Sequence, residues 1–156
     1  MNTKTLPTHG EAKTALDNLL NDFADSRQIN ESDIQTAFTG IENSLNVRDY
    51  LLGGLGLTFT DFTDRMTFLS LFSVAGESAN IEAIRGAYQY EEGLTVAALE
   101  SLTKAHDLDP EHALTRLIFQ VIKSGWAVNA FEQMRNELHP KVIEKLSELS
   151  GDKVGK

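Results

Sequence analysis

Two histidines and three acids crowd one short stretch, His106-Asp107-Leu108-Asp109-Pro110-Glu111-His112. Imidazole and carboxylate are ligands that divalent cations take, so a metal centre is the first chemistry to weigh. The spacing is not HExxH, and the EF-hand loop with its mid-loop glycine and closing Glu is missing. The same residues suit one helix ending and another beginning: His106 fits a last turn, Asp109 a cap and Glu111 a first turn. The expectation is a structural turn that holds no metal. Asp61 and Asp64, with Arg65 adjacent, are paired carboxylates of the kind that do acid–base work when a cleft shifts their pKa values. Near a helix start they read instead as partners of the helix dipole. Glu91-Glu92 reads as a solvated helix end. Gly53, Gly54 and Gly56 invite a phosphate loop, but no GxGxxG or GxxxxGK pattern is present and no strand precedes them. Close helix packing is the better use for them. No GxSxG or Ser-x-x-Lys nucleophile occurs. The chain has no cysteine, which excludes disulfides, thiolate metal sites and a cysteine nucleophile. The reading is a non-enzyme with no catalytic residues, no cofactor and no metal.

The elements that must carry these residues are helices. Ala12, Ala15, Leu16, Leu19, Leu20 and Phe23 recur at helical spacing, and Asn30-Glu31-Ser32-Asp33 caps a second helix through Ile34, Ala37, Phe38, Ile41 and Leu45. A third, glycine-weakened helix starts at Asn46. A strongly apolar one follows the Thr58–Asp61 cap region and ends at Gly76. Ser78 opens the next, which Gly93 ends; another runs from Leu94 to about Asp107, and a seventh from Pro110 to Gly125. Trp126 lies just past that stop, where a residue often folds back on the last turn. Residues 127–138 are helical, His139-Pro140 marks a break because proline disfavours helix in the residue before it, and Val142, Ile143, Leu146 and Leu149 give a final helix. No convincing strand alternation appears. The expected fold is all-α: a compact bundle of eight or nine short helices with a helical hairpin at its centre, one domain over 10–150, and flexible tails at 1–9 and 151–156.

With 156 residues and 41% hydrophobic content, one core can form without staples. Net charge is −9, and it is uneven: residues 61–110 carry nine acids against three bases, whereas 111–156 carry six against seven. Direct contact with a nucleic-acid backbone is disfavoured, because it needs clustered Lys and Arg. The N-terminus is neither a signal nor a transit peptide. Apolar runs such as Tyr50 to Phe59 are far short of a membrane span. The expectation is a soluble, cytoplasmic protein that contacts no membrane.

Gly86, Gly93, Ala98, Leu102, Ala105 and Pro110 have the spacing of the tetratricopeptide repeat, whose period is about 34 residues. Small side chains let two helices approach closely, and proline ends the second. Arg85 stands where the repeat carries a large apolar residue, and no second copy follows, so one repeat-like hairpin inside a globular domain is expected. A longer likeness rests on Asn46-Val47-Arg48-Asp49, Gly93 with Ala97-Ala98, the run Ala105 to His112, and Leu117 before Gly125. Over roughly residues 46–138 the chain resembles the C-terminal helical part of the domain-of-unknown-function family numbered 4192. That resemblance implies a helical fold and an actinobacterial or mobile-element origin. It supplies no catalytic residues.

Binding is the remaining class. Tyr88, Tyr90, Trp126 and Phe131 are the aromatics expected to line a groove around the hairpin, with Tyr90 and Trp126 exposed at helix ends. The partner is another protein, and the supply of apolar residues also allows a homodimer. The alternative is a small acidic inhibitor from a phage or plasmid that mimics nucleic-acid charge. It requires Asp61, Asp64, Glu82, Glu91, Glu92 and Glu100 to form one continuous acidic face.

Overall fold

The computed structural model describes residues 6–155. The fold is all-α, with eight helices among the described residues: α1 (His9–Ala24), α2 (Glu31–Asn43), α3 (Leu45–Thr58), α4 (Phe62–Ser70), α5 (Ala79–Glu91), α6 (Thr95–Leu108), α7 (Ala113–Lys123) and α8 (Val128–Glu148). A 3-10 turn at Leu71–Val74 follows α4. Among the described residues there is no strand, only an isolated antiparallel bridge between Thr8 and Lys153. No helix among them is long and apolar enough to cross a membrane.

The caps explain most boundaries. Asn30, Ser44, Asp61 and Ser78 each accept a backbone N–H of the following turn through a side-chain oxygen, satisfying donors that the helix itself leaves free. Gly93 and Gly125 adopt positive φ, 83° and 70°. Each closes a Schellman turn: Gly93 N–H reaches Tyr90 O and Leu94 N–H reaches Gln89 O, while Gly125 N–H reaches Ile122 O and Trp126 N–H reaches Val121 O. The expected fold-back of Trp126 is this last bond. Two boundaries differ most from expectation: α4 ends at Ser70, with the 3-10 turn after it, rather than at Gly76, and α8 runs through Pro140 without a break. Proline removes one helix N–H but its φ suits a helix, and the apolar spacing on both sides keeps the helix going. Two predicted helices thus become one.

The chain divides into two compact units, one comprising residues up to Thr60 and from Asn136 onward, the other Asp61–Arg135. In the first, α1, α2 and α3 pack on one another around Leu16, Leu19, Ile41, Leu51 and Leu55. Here glycines permit close approach, as the sequence suggests for Gly53 but not for Gly40. A Cβ on Gly40 would fall 2.5 Å from the Ala12 Cβ, and one on Gly53 would fall 2.5 Å from His139 Nδ1. Of the expected tails, residues 1–5 and 156 lie outside the described residues. Much of the described remainder is tied down. His9 N–H donates to Asp152 O, Val154 N–H to Pro7 O and Gly155 N–H to Asn43 O, and Val154 is fully buried.

In the second unit α5 is the hub, packing on α4, α6 and α7. The hairpin expected from the sequence is α5–α6; its likeness to a tetratricopeptide repeat rests on spacing. The close approach centres on Gly86, where a Cβ would lie 2.9 Å from Leu102 Cγ and 3.3 Å from Ala98 O.

Candidate interaction site

All ten residues proposed for binding lie in the second unit, and the structure separates them. Tyr88 is fully buried, with the guanidinium of Arg135 4.7 Å and that of Arg65 5.1 Å from its ring centre. Phe131 is buried too. Tyr90, expected to be exposed, is only 8% exposed. Its ring joins a small core cluster with Ala98 and Val121, covered by Ile122, and its hydroxyl donates to the Trp126 carbonyl. That bond satisfies the hydroxyl of a ring the cluster buries, since a buried phenol needs a partner. Trp126 alone of the four is open, at 42% exposure. An aromatic groove made of all four therefore does not exist; three of them are core.

The acids divide in the same way. Glu91, expected to be solvated, forms a two-pronged pair with Arg135: Nε to Oε2 at 2.9 Å and Nη2 to Oε1 at 2.8 Å. Glu82 pairs with Arg85 at 3.4 Å and Lys104 at 3.7 Å, linking α5 to α6. Asp61 caps α4 by accepting the Thr63 N–H at 2.7 Å. Asp64, Glu92 and Glu100 are exposed, but they sit on α4, after α5 and on α6 respectively.

Within the His106–His112 stretch, Asp109 and His112 have structural roles. His112 is the cap of α7: its Nδ1 accepts the Thr115 N–H at 3.3 Å, and its Nε2 lies 2.8 Å from Asn80 Oδ1. Asp109 accepts the Glu111 N–H at 3.0 Å, so the histidine rather than Asp109 caps the helix. Among the described residues no group of three or more His, Asp or Glu is placed to hold a metal ion.

In the first unit Lys13, Asp17, Tyr50 and His139 form a titratable cluster. Lys13 Nζ donates to Asp17 Oδ2 at 2.8 Å and lies 5.0 Å from the Tyr50 ring centre, the Tyr50 hydroxyl donates to Asp17, and His139 stacks on Tyr50 at 5.3 Å. Burial, and then the hydrogen bond to Asp17, push the Tyr50 pKa far above the ordinary phenol value. Tyr50 therefore keeps its proton at neutral pH and acts as a strut. A raised acid pKa means the folded state holds its proton more tightly, so the stabilisation is whole below about pH 10 and is lost as pH rises toward the folded value. Tyr50→Phe should flatten the fall in urea midpoint between pH 9 and 11 relative to the parent protein. Parallel curves would show that another group controls the alkaline limb.

What the second unit presents instead is a groove of 440 Å³ between α6 and α7, lined by Thr103, His106, Arg116, Phe119, Gln120 and Lys123. Five of these six were not singled out from the sequence. A usable signal was there: Arg116, Phe119, Gln120 and Lys123 recur at i, i+3, i+4 and i+7, one face of a helix whose opposite side is the apolar Leu114, Ile118 and Val121. On α6, Val96, Leu99, Thr103 and His106 likewise share one face at i, i+3, i+7 and i+10. Val96, at 74%, and Leu99 are exposed, while Ala98, Leu102 and Ala105 are buried.

No family model, curated protein or solved structure matches the chain.

Proposed function

We propose that this chain is a non-enzymatic protein-interaction module that works through the outer face of its α6–α7 pair. The observation that supports the reading most directly is the exposure of Val96 and Leu99 in register with the groove. Single exposed apolar residues are ordinary, but a row of them leading into a cleft is what an interaction surface offers. The partner is another protein. The charge-mimicking inhibitor has less support, because Glu82 and Glu91 spend their charge on bases of their own unit. The resemblance to the domain-of-unknown-function family stands as a proposal of kinship, motivated by its short motifs.

A photo-reactive amino acid in place of Val96, and separately of Trp126, tests the reading in the native host. Position 96 should give a discrete protein adduct, whereas the same group at the exposed Gln28 of the first unit should give none. Absence of any adduct at both 96 and 126 would overturn the module reading.

A further inference from the structure

We infer that the α6–α7 groove takes an acidic peptide segment of a partner protein, one that sets a large apolar side chain beside at least one carboxylate. This rests on the interaction-module reading above and names the partner's chemistry.

The charge pattern carries the argument. Between Asp61 and Arg135 the chain has eleven acids and six Lys or Arg. Four of those six bases have their partners away from the groove. Arg135 is held by Glu91, Arg85 by Glu82 and Lys104 by Glu77 and Glu82, and Arg65 lies over the Tyr88 ring. The other two, Arg116 and Lys123, both line the groove, and so does His106. Lys123 has no carboxylate within ion-pair distance among the described residues. Arg116 is steadied by Pro110 O at 3.3 Å and Glu111 at 3.0 Å. Both members of that ion pair are well exposed, and exposed pairs of this kind are weak, leaving the guanidinium exchangeable for a better-placed carboxylate. An otherwise acidic unit thus sets the unpaired Lys123 ammonium and the exposed Arg116 guanidinium at one cleft, with Phe119 to receive an apolar group and Thr103 and Gln120 to hydrogen-bond a backbone.

Length favours a peptide over a small anion. The α6 face from Val96 to His106 spans about 15 Å at 1.5 Å per residue, and its Val96 end lies beyond the residues that line the cleft. A small carboxylate would leave Val96 and Leu99 in water. A helix or an extended segment could cover them while placing its acid near Arg116 and Lys123.

The test uses the full chain and two fluorescein-labelled, 12-residue amphipathic peptides. They share one Leu and Phe stripe and carry either glutamates or lysines elsewhere. Because the whole protein is strongly negative, unspecific attraction would favour the lysine peptide, so the inference predicts the opposite order. The glutamate peptide should bind at least about tenfold more tightly in fluorescence anisotropy and weaken as salt rises. Lys123→Glu and the milder Lys123→Gln should each reduce that binding, and Lys141→Glu, at an exposed position of the first unit, should not. Melting curves confirm that each variant is folded. Preference for the lysine peptide, indifference to position 123, or displacement of the glutamate peptide by acetate alone would overturn the inference. So would a homodimer, seen by light scattering, that dissociates in Lys123→Glu, since the occupant would then be a second copy. A protein adduct at position 96 with no preference for the acidic peptide removes only this inference. The lack of any adduct removes the module reading itself.

Discussion

Arg135→Ala is expected to destabilise the protein by about 3–5 kcal/mol, the usual cost of removing one partner from a buried ion pair. The side chains of Arg135 and Glu91 are 2% and 9% exposed. Glu91 is the last residue of α5, where the unsatisfied carbonyls already make a carboxylate unwelcome. Without the guanidinium it would be left buried, unpaired and at the wrong end of a helix dipole. The Tyr88 ring would also lose one of its two cations. The pair is costly to break yet need not add net stability when intact, because desolvating both charges offsets much of their attraction. The double replacement Glu91→Leu with Arg135→Met should therefore recover most of the loss. Urea midpoints followed by far-UV circular dichroism would measure both. A single-variant loss below about 1 kcal/mol would mean that water reaches the pair.

Gly40→Val should cost about 1–3 kcal/mol through overpacking. The new Cβ would sit 2.5 Å from the Ala12 Cβ and 3.2 Å from Val47 Cγ1. Ala12 cannot move aside by changing rotamer, because its Cβ is fixed to the α1 backbone, so the two helices must separate. Removing a glycine from a helix interior recovers only a few tenths of a kcal/mol in propensity when the replacement is β-branched. Gly151→Ala is the matched control. Nothing lies within 4 Å of a Cβ there, and its melting temperature should stay close to that of the parent. A neutral Gly40→Val would show that the α1–α2 crossing tolerates expansion.

The helices were legible in the sequence because their signals are local. Asn30, Asp61 and Ser78 cap through their own side chains, and Gly93 and Gly125 stop helices by a backbone conformation that other residues adopt poorly. The apolar period of α7 marks its buried side without reference to any partner. Pro140 misled, since a proline's effect depends on whether packing on both sides holds the helix through it.

The candidate site was not legible for the opposite reason. Tyr90 and Trp126 look alike as aromatics at helix ends. Only the close α5–α6 approach at Gly86 and the reach of the Tyr90 hydroxyl to the Trp126 carbonyl put one in the core and leave the other in water. Glu91 and Glu92 are adjacent and chemically alike. Arg135, 44 residues along the chain, buries one and leaves its neighbour exposed. The sequence by itself determined an all-helical chain, its capped and glycine-stopped helix ends and its acidic balance, because periodicity, capping and charge are properties of neighbouring residues. The tertiary structure decided which charges cancel and which remain to bind something, because pairing is settled by distances between residues far apart in the chain.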